Sequence, residues 1–97
     1  MAYEIAVKPG ARKDMAESYF WYEDQKAGLG EEFLEEIRLK LKSLEINPLV
    51  FQIVKNPFRQ APLKRFPFVI VYEILQREVI IYAVFHTNRS PKKKWRR

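Results

Sequence analysis

The fold is read from Phe68-Val69-Ile70-Val71-Tyr72-Glu73-Ile74-Leu75-Gln76-Arg77-Glu78-Val79-Ile80-Ile81-Tyr82-Ala83-Val84-Phe85-His86. Two apolar runs rich in β-branched residues, 68–75 and 79–86, flank the polar triplet Gln76-Arg77-Glu78. That pattern predicts two central strands joined by a tight turn. On the first, Phe68, Ile70 and Tyr72 share a face. On the second, strict alternation sets Ile80, Tyr82, Val84 and His86 against Val79, Ile81, Ala83 and Phe85. His86 ends the strand, where a side chain reaches solvent.

Upstream, Pro57 and Pro62 bracket a stretch around Arg59 that is either irregular or an edge strand, continued by Leu63–Phe66. Val50–Val54 predicts a further short strand. Before Pro48 the period changes from 2 to 3.6. Phe33, Leu34, Ile37, Leu41 and Leu44 recur at helical spacing over residues 31–46. Glu31, Glu32, Glu35 and Glu36 precede Arg38, Lys40 and Lys42, an order that complements the helix dipole. Asn47-Pro48 closes this helix. Residues 11–28 predict another helix, with Met15, Tyr19 and Tyr22 as its stripe, and Ala27-Gly28-Leu29-Gly30 as a stop and restart. Two helices so closely joined form an antiparallel hairpin. At the N-terminus Tyr3, Ile5 and Val7 alternate as a strand that Pro9-Gly10 ends. The expectation is an α+β fold of order β-α-α-β-β-β-β: an N-terminal strand, an antiparallel helical hairpin, then a four-stranded, mostly antiparallel sheet.

Composition narrows the functional classes. The 97 residues suit one domain, 1–97, ending in a basic tail, 89–97. Such a chain buries roughly two-thirds of its unfolded surface, enough for one core. There is no cysteine and one histidine, which excludes disulfide scaffolds, thiolate zinc sites, cysteine nucleophiles and histidine-rich metal sites. Three glycines are too few for a phosphate-cradling loop, so neither cofactor nor metal is expected. No apolar run approaches the roughly 18 residues that span a membrane. The first residues lack a signal-peptide pattern, and a cytoplasmic location is expected. The net charge is +6, yet residues 1–85 carry twelve acids and twelve bases. The excess comes from Arg89, Lys92, Lys93, Lys94, Arg96 and Arg97. Residues 10–47 are net acidic and 48–97 net basic, which suggests a polyanion or an acidic partner for one face.

Three groups of residues stand out. Arg59, Lys64 or Arg65, Tyr72, His86 and Arg89 suit RNA cleavage without metal if the sheet gathers them on one concave surface. That chemistry needs a base for the ribose 2′-hydroxyl, cations for the charge on phosphate and an acid for the 5′-oxygen. His86 alone has an ordinary pKa near neutrality. In the tail, Lys92, Lys93, Lys94, Arg96 and Arg97 suit phosphates, and Trp95 suits a stacked base; a solvated terminus is the alternative. Tyr19, Phe20, Trp21 and Tyr22 are either core or a groove for a partner helix, since four consecutive aromatics cannot all face one core.

These elements in this order resemble the RelE/ParE toxin superfamily of bacterial type II toxin–antitoxin modules, and within it the ParE-like branch. The resemblance rests on Trp21-Tyr22-Glu23, Gly28 through Phe33, Asn47-Pro48, Arg59, Leu63 through Phe68, Ile70-Val71-Tyr72 and Val84 through Pro91. It covers nearly the whole chain. It implies a growth-inhibiting toxin with two targets open. RelE-like members cleave mRNA in the ribosomal A site without metal, through a variable set of Lys, Arg, Tyr and sometimes Glu or His. ParE-like members are associated with poisoning DNA gyrase. Arg59, Lys64, Arg65, Tyr72, His86 and Arg89 stand at broadly comparable places. The terminal tyrosine of several nucleases is missing; Trp95 and the basic tail stand there. The resemblance also implies a cognate antitoxin whose acidic or amphipathic segment wraps the toxin. A non-catalytic nucleic-acid-binding module, or a decayed toxin, is the third reading.

Overall fold

The computed structural model describes residues 2–88. Strand β1 (Glu4–Val7) leads into helix α1 (Pro9–Gln25), which turns into helix α2 (Leu29–Ile46). A 3-10 turn (Pro48–Val50) precedes β2 (Ile53–Lys55), β3 (Phe58–Pro62), β4 (Phe68–Leu75) and β5 (Glu78–His86). The sheet order is β1-β5-β4-β3-β2. β2 through β5 pair antiparallel, and β1 joins in parallel at the edge of β5, so the sheet has five strands.

Several boundaries differ from the sequence reading. The first strand ends before Pro9 as expected, but Pro9 also opens α1, ahead of residue 11, since a missing N–H costs nothing in a helix's first turn. Pro48–Val50 coils because the Asn47 side chain accepts the Leu49 N–H at 3.3 Å, which delays β2 to Ile53. Leu63–Phe66 does not extend β3; it forms a loop held by α2, described below. β5 carries a bulge: Ile81 faces Tyr72 and Ala83 faces Val71, leaving Tyr82 as the extra residue. The bulge breaks the expected alternation. Val79, Ile81 and Val84 all join the main core under the helices, while Ala83 packs on the other face.

The core forms where the hairpin meets this face. Tyr22 from α1, Phe33 from α2, Phe66 from the loop and Phe68 from β4 form one aromatic cluster, with centroids 4.9–6.1 Å apart. Aromatic pairs at such spacing contribute about 0.5–1.5 kcal/mol each beyond area burial. The Asp14 carboxylate accepts the Val84 N–H at 2.9 Å and ties α1 to β5 just past the bulge.

The hairpin turn depends on one carboxylate and two glycines. Glu23 accepts the N–H groups of Gly28 (3.1 Å), Gly30 (2.7 Å) and Glu31 (3.3 Å), donors that a helix start leaves without partners. These bonds, that from Gly28 foremost, hold the Glu23 carboxyl below the usual carboxylate range. Its contribution to stability is therefore present above the ordinary carboxylate pKa and is lost as pH falls through the depressed one. Gly28 sits at φ 90°, a left-handed conformation that favours glycine. Gly30 lies where the helices touch: a methyl group there would come within 2.6 Å of the Tyr19 carbonyl oxygen. Gly30→Ala is expected to lower stability by about 2 kcal/mol through overpacking, measured by urea denaturation.

Candidate functional site

The residues singled out in the sequence fall at two places along β4, its middle and its Phe68 end. Arg59 on β3 faces Tyr72 on β4, and both side chains turn to the helix side. Tyr72 is fully buried, and its hydroxyl donates to the Pro48 carbonyl at 2.6 Å. Burial pushes its pKa up to about 12, against the nearby Arg59 charge, which favours ionisation. Arg59 donates from Nη1 to the Phe51 carbonyl at 2.5 Å. Together the two side chains fasten the 48–51 segment over the sheet.

His86, Lys64 and Arg65 lie at the Phe68 end. His86 pairs with Phe68, and their rings meet edge to face at 5.2 Å. The His86 Nδ1 accepts the Asn88 N–H at 3.2 Å. Thr87 N–H donates to the Pro67 carbonyl at 2.7 Å, drawing the strand end to the loop. That loop is clamped from α2. The Glu36 carboxylate accepts the backbone N–H of Lys64 at 2.5 Å and of Arg65 at 3.2 Å. The Arg65 guanidinium pairs with Glu32 at 2.7 Å and lies over the Phe66 ring at 5.1 Å. Lys64 is exposed.

Phe68 and Tyr72 are four residues apart on one strand, roughly 13 Å at 3.3 Å per residue. Among the described residues the set expected on one concave surface is thus divided. Arg59 and Tyr72 hold the middle of β4, and His86 with Lys64 and Arg65 its Phe68 end. Arg89, Lys92, Lys93, Lys94, Trp95, Arg96 and Arg97 lie outside the described residues. The described His, Asp and Glu side chains include no group of three placed to hold a metal ion. No described helix is long and apolar enough to cross a membrane.

The four aromatics of α1 divide as well. Tyr22 is core; Tyr19 is half-buried, with its hydroxyl 3.2 Å from a Glu31 oxygen. Phe20 (64% exposed) and Trp21 (53%) face outward. The core reading therefore holds for Tyr22, and Phe20 and Trp21 stand outside the core.

Two features escaped the sequence reading. On the face away from the helices, Tyr82 donates to Glu73 Oε1 at 2.7 Å and meets the Phe58 ring at 5.3 Å. The Glu73 bond, with burial, pushes the Tyr82 pKa up to about 12. The pairing depends on the bulge, which no periodicity announces. The second is an apolar strip, Ile46, Leu49, Val50, Ile53 and Val54, exposed along the end of α2, the 3-10 turn and β2. Its run of apolar residues resembles a core strand in sequence, and only its place at the sheet edge leaves it uncovered.

With this geometry in view, the chain can be set against known proteins. A model of the ParE toxin of type II toxin–antitoxin systems, parDE, matches residues 5–91. The chain belongs to the ParE toxin family. None of the curated protein sequences matches this ParE-family chain significantly. Its fold is similar to the chromosomal ParDE toxin–antitoxin system from P. aeruginosa, with TM-score 0.80 and 15% identity over 90% of this chain and 98% of that one. It is also similar to the isolated E. coli RelE toxin, with TM-score 0.69 and 18% identity over 95% and 92% of the two chains. The archaeal RelE–RelB complex from Pyrococcus horikoshii is a further neighbour, with TM-score 0.52 and 13% identity over 93% and 100%.

Tyr72 and Tyr82, both raised to about 12, give a pH prediction. A group whose pKa is raised on folding stabilises below its unfolded value, here about 10, and loses that contribution as pH rises through the folded value. Stability should fall between about pH 10 and 12. In a tyrosinate absorbance titration Tyr72→Phe should remove one late-ionising group, while removal of its hydrogen bond costs about 1 kcal/mol of stability.

Proposed function

We propose that this ParE-family toxin arrests growth by binding DNA gyrase, with no covalent chemistry of its own. The observation that carries the reading is the fate of Tyr72 and Arg59. Both are engaged with backbone carbonyls of the 48–51 segment, and both stand roughly 13 Å along β4 from His86. A cleavage site needs its base, acid and cations around a single phosphate. The exposed apolar strip along the 3-10 turn and β2 favours a protein partner over nucleic acid, whose interfaces are more polar and strongly cationic. The ParE-like branch, associated with gyrase poisoning, agrees.

A cognate antitoxin completes the reading. An acidic, amphipathic segment of it would lay apolar side chains on Phe20 and Trp21 and offset the basic C-terminal end. The protein then works in the cytoplasm, where gyrase and antitoxin both reside.

A second reading, ribosome-dependent mRNA cleavage, is favoured by one observation. The His86 ring stands at a strand end beside the loop of Lys64 and Arg65. One pair of assays separates the two. Purified toxin at micromolar concentration should block plasmid supercoiling by gyrase, and in vitro translation with primer extension should show no A-site cuts. Normal supercoiling together with A-site cuts would reverse the assignment.

A further inference from the structure

Ile46, Leu49, Val50, Ile53 and Val54 form an apolar strip from the end of α2 across the 3-10 turn to β2, the last strand of the sheet. Each of these side chains is between 49% and 73% exposed. Together they show water roughly 500 Å² of apolar surface, the size of the largest patch on a typical monomer, and such patches mark interaction sites.

Charge selects what covers the strip. Between Ile46 and Phe58 the sequence carries a single charged residue, Lys55. An acidic segment would find one cation there, and a charged surface laid on the rest would lose hydration without compensation. The complementary surface is therefore apolar and nearly uncharged. The exposed aromatics Phe20 and Trp21 do not fit that description, since Glu17, Glu23 and Asp24 flank Phe20 at helical spacing. The same strip on a second copy does. Strip against strip is an isologous contact that closes on a two-fold axis at two chains, whereas strip against the α1 aromatics would be head to tail and open-ended.

The area suits a dimer of modest strength. Two strips bury roughly 1,000 Å² between them, the lower limit of a specific interface. β2 is three residues long and its register shifts between Ile53 and Lys55, features that blunt a sheet edge against strand addition. Side chains, and not a continued sheet, then make the contact. We propose that two copies of this chain pack these strips against each other about a two-fold axis, forming a homodimer in the free toxin. The dimer covers the strip that favours a protein target, so gyrase competes with a second copy for it. That consequence rests on the gyrase reading; the dimer itself does not.

Sedimentation velocity of the full chain, from about 1 to about 300 µM, reads the dimer directly. The mass should rise from that of one chain to that of two, with a dissociation constant on the order of 10 µM. Sodium chloride at about 0.5 M should not weaken it, because an apolar contact has no charge attraction to screen. Leu49→Glu combined with Val54→Glu sets like charges together at the axis and should weaken dimerisation about tenfold or more, with the circular dichroism unchanged. Phe20→Glu, at an equally exposed site on α1, should leave it as it is. In an equal mixture of carbon-13-labelled and unlabelled chain, a filtered nuclear Overhauser experiment should join the methyl groups of Leu49, Val50 and Ile53 to the other copy. A chain that stays monomeric at the highest concentration would overturn the proposal and leave the gyrase reading untouched. So would a mass that grows past two chains, or contacts between copies that spare the strip.

Discussion

Four aromatic rings hold this molecule together. Tyr22, Phe33, Phe66 and Phe68 come from α1, α2, a loop and β4; Tyr22 and Phe33 meet each other, and each of them meets both Phe66 and Phe68. Among the described residues these rings join both helices to the sheet. Position along the hairpin follows from it: Tyr22 and Phe33 flank the turn, so Glu23 and Gly30 must bring the helices close at that point. The loop follows too. Phe66 must reach inward, and Glu36 and Glu32 then hold the backbone of Lys64 and Arg65 and the Arg65 side chain from outside.

The same cluster decides what the surface offers. His86 reaches it through Phe68, at the far end of β4 from the Tyr72–Pro48 bond. The bulge at Tyr82 brings this about: it moves Val84 onto the helix side and turns Tyr82 outward to Glu73. Arg59 and Tyr72 are each bound to a backbone carbonyl of the 48–51 segment, and Arg65 is held by Glu32 and the Phe66 ring, so the fold's own needs position all three.

Much of the fold is legible in the residues. Phe33, Ile37 and Leu44 mark the buried stripe of α2, and the β-branched runs 68–75 and 79–86 mark the paired central strands. The element order follows from them. What escapes is set by contacts distant in sequence. The bulge appears only when β5 is laid against β4, and the Leu63–Phe66 loop bends because Glu36, 28 residues earlier, accepts its N–H groups. The site was legible as a list of residue types and not as an arrangement. Arg, Tyr and His in one half of the chain suggest a shared surface, but burial of Tyr72 depends on the Pro48 carbonyl, which the sequence does not place.

If the residues that resemble a cleavage site serve structure, toxicity requires recognition and no proton transfer. Growth after induced expression of a variant carrying Lys64→Ala, Tyr72→Phe and His86→Ala, with folding verified by circular dichroism, tests it most directly. The account predicts growth arrest as complete as with the unaltered chain. Normal growth with a folded, fully expressed variant would contradict it.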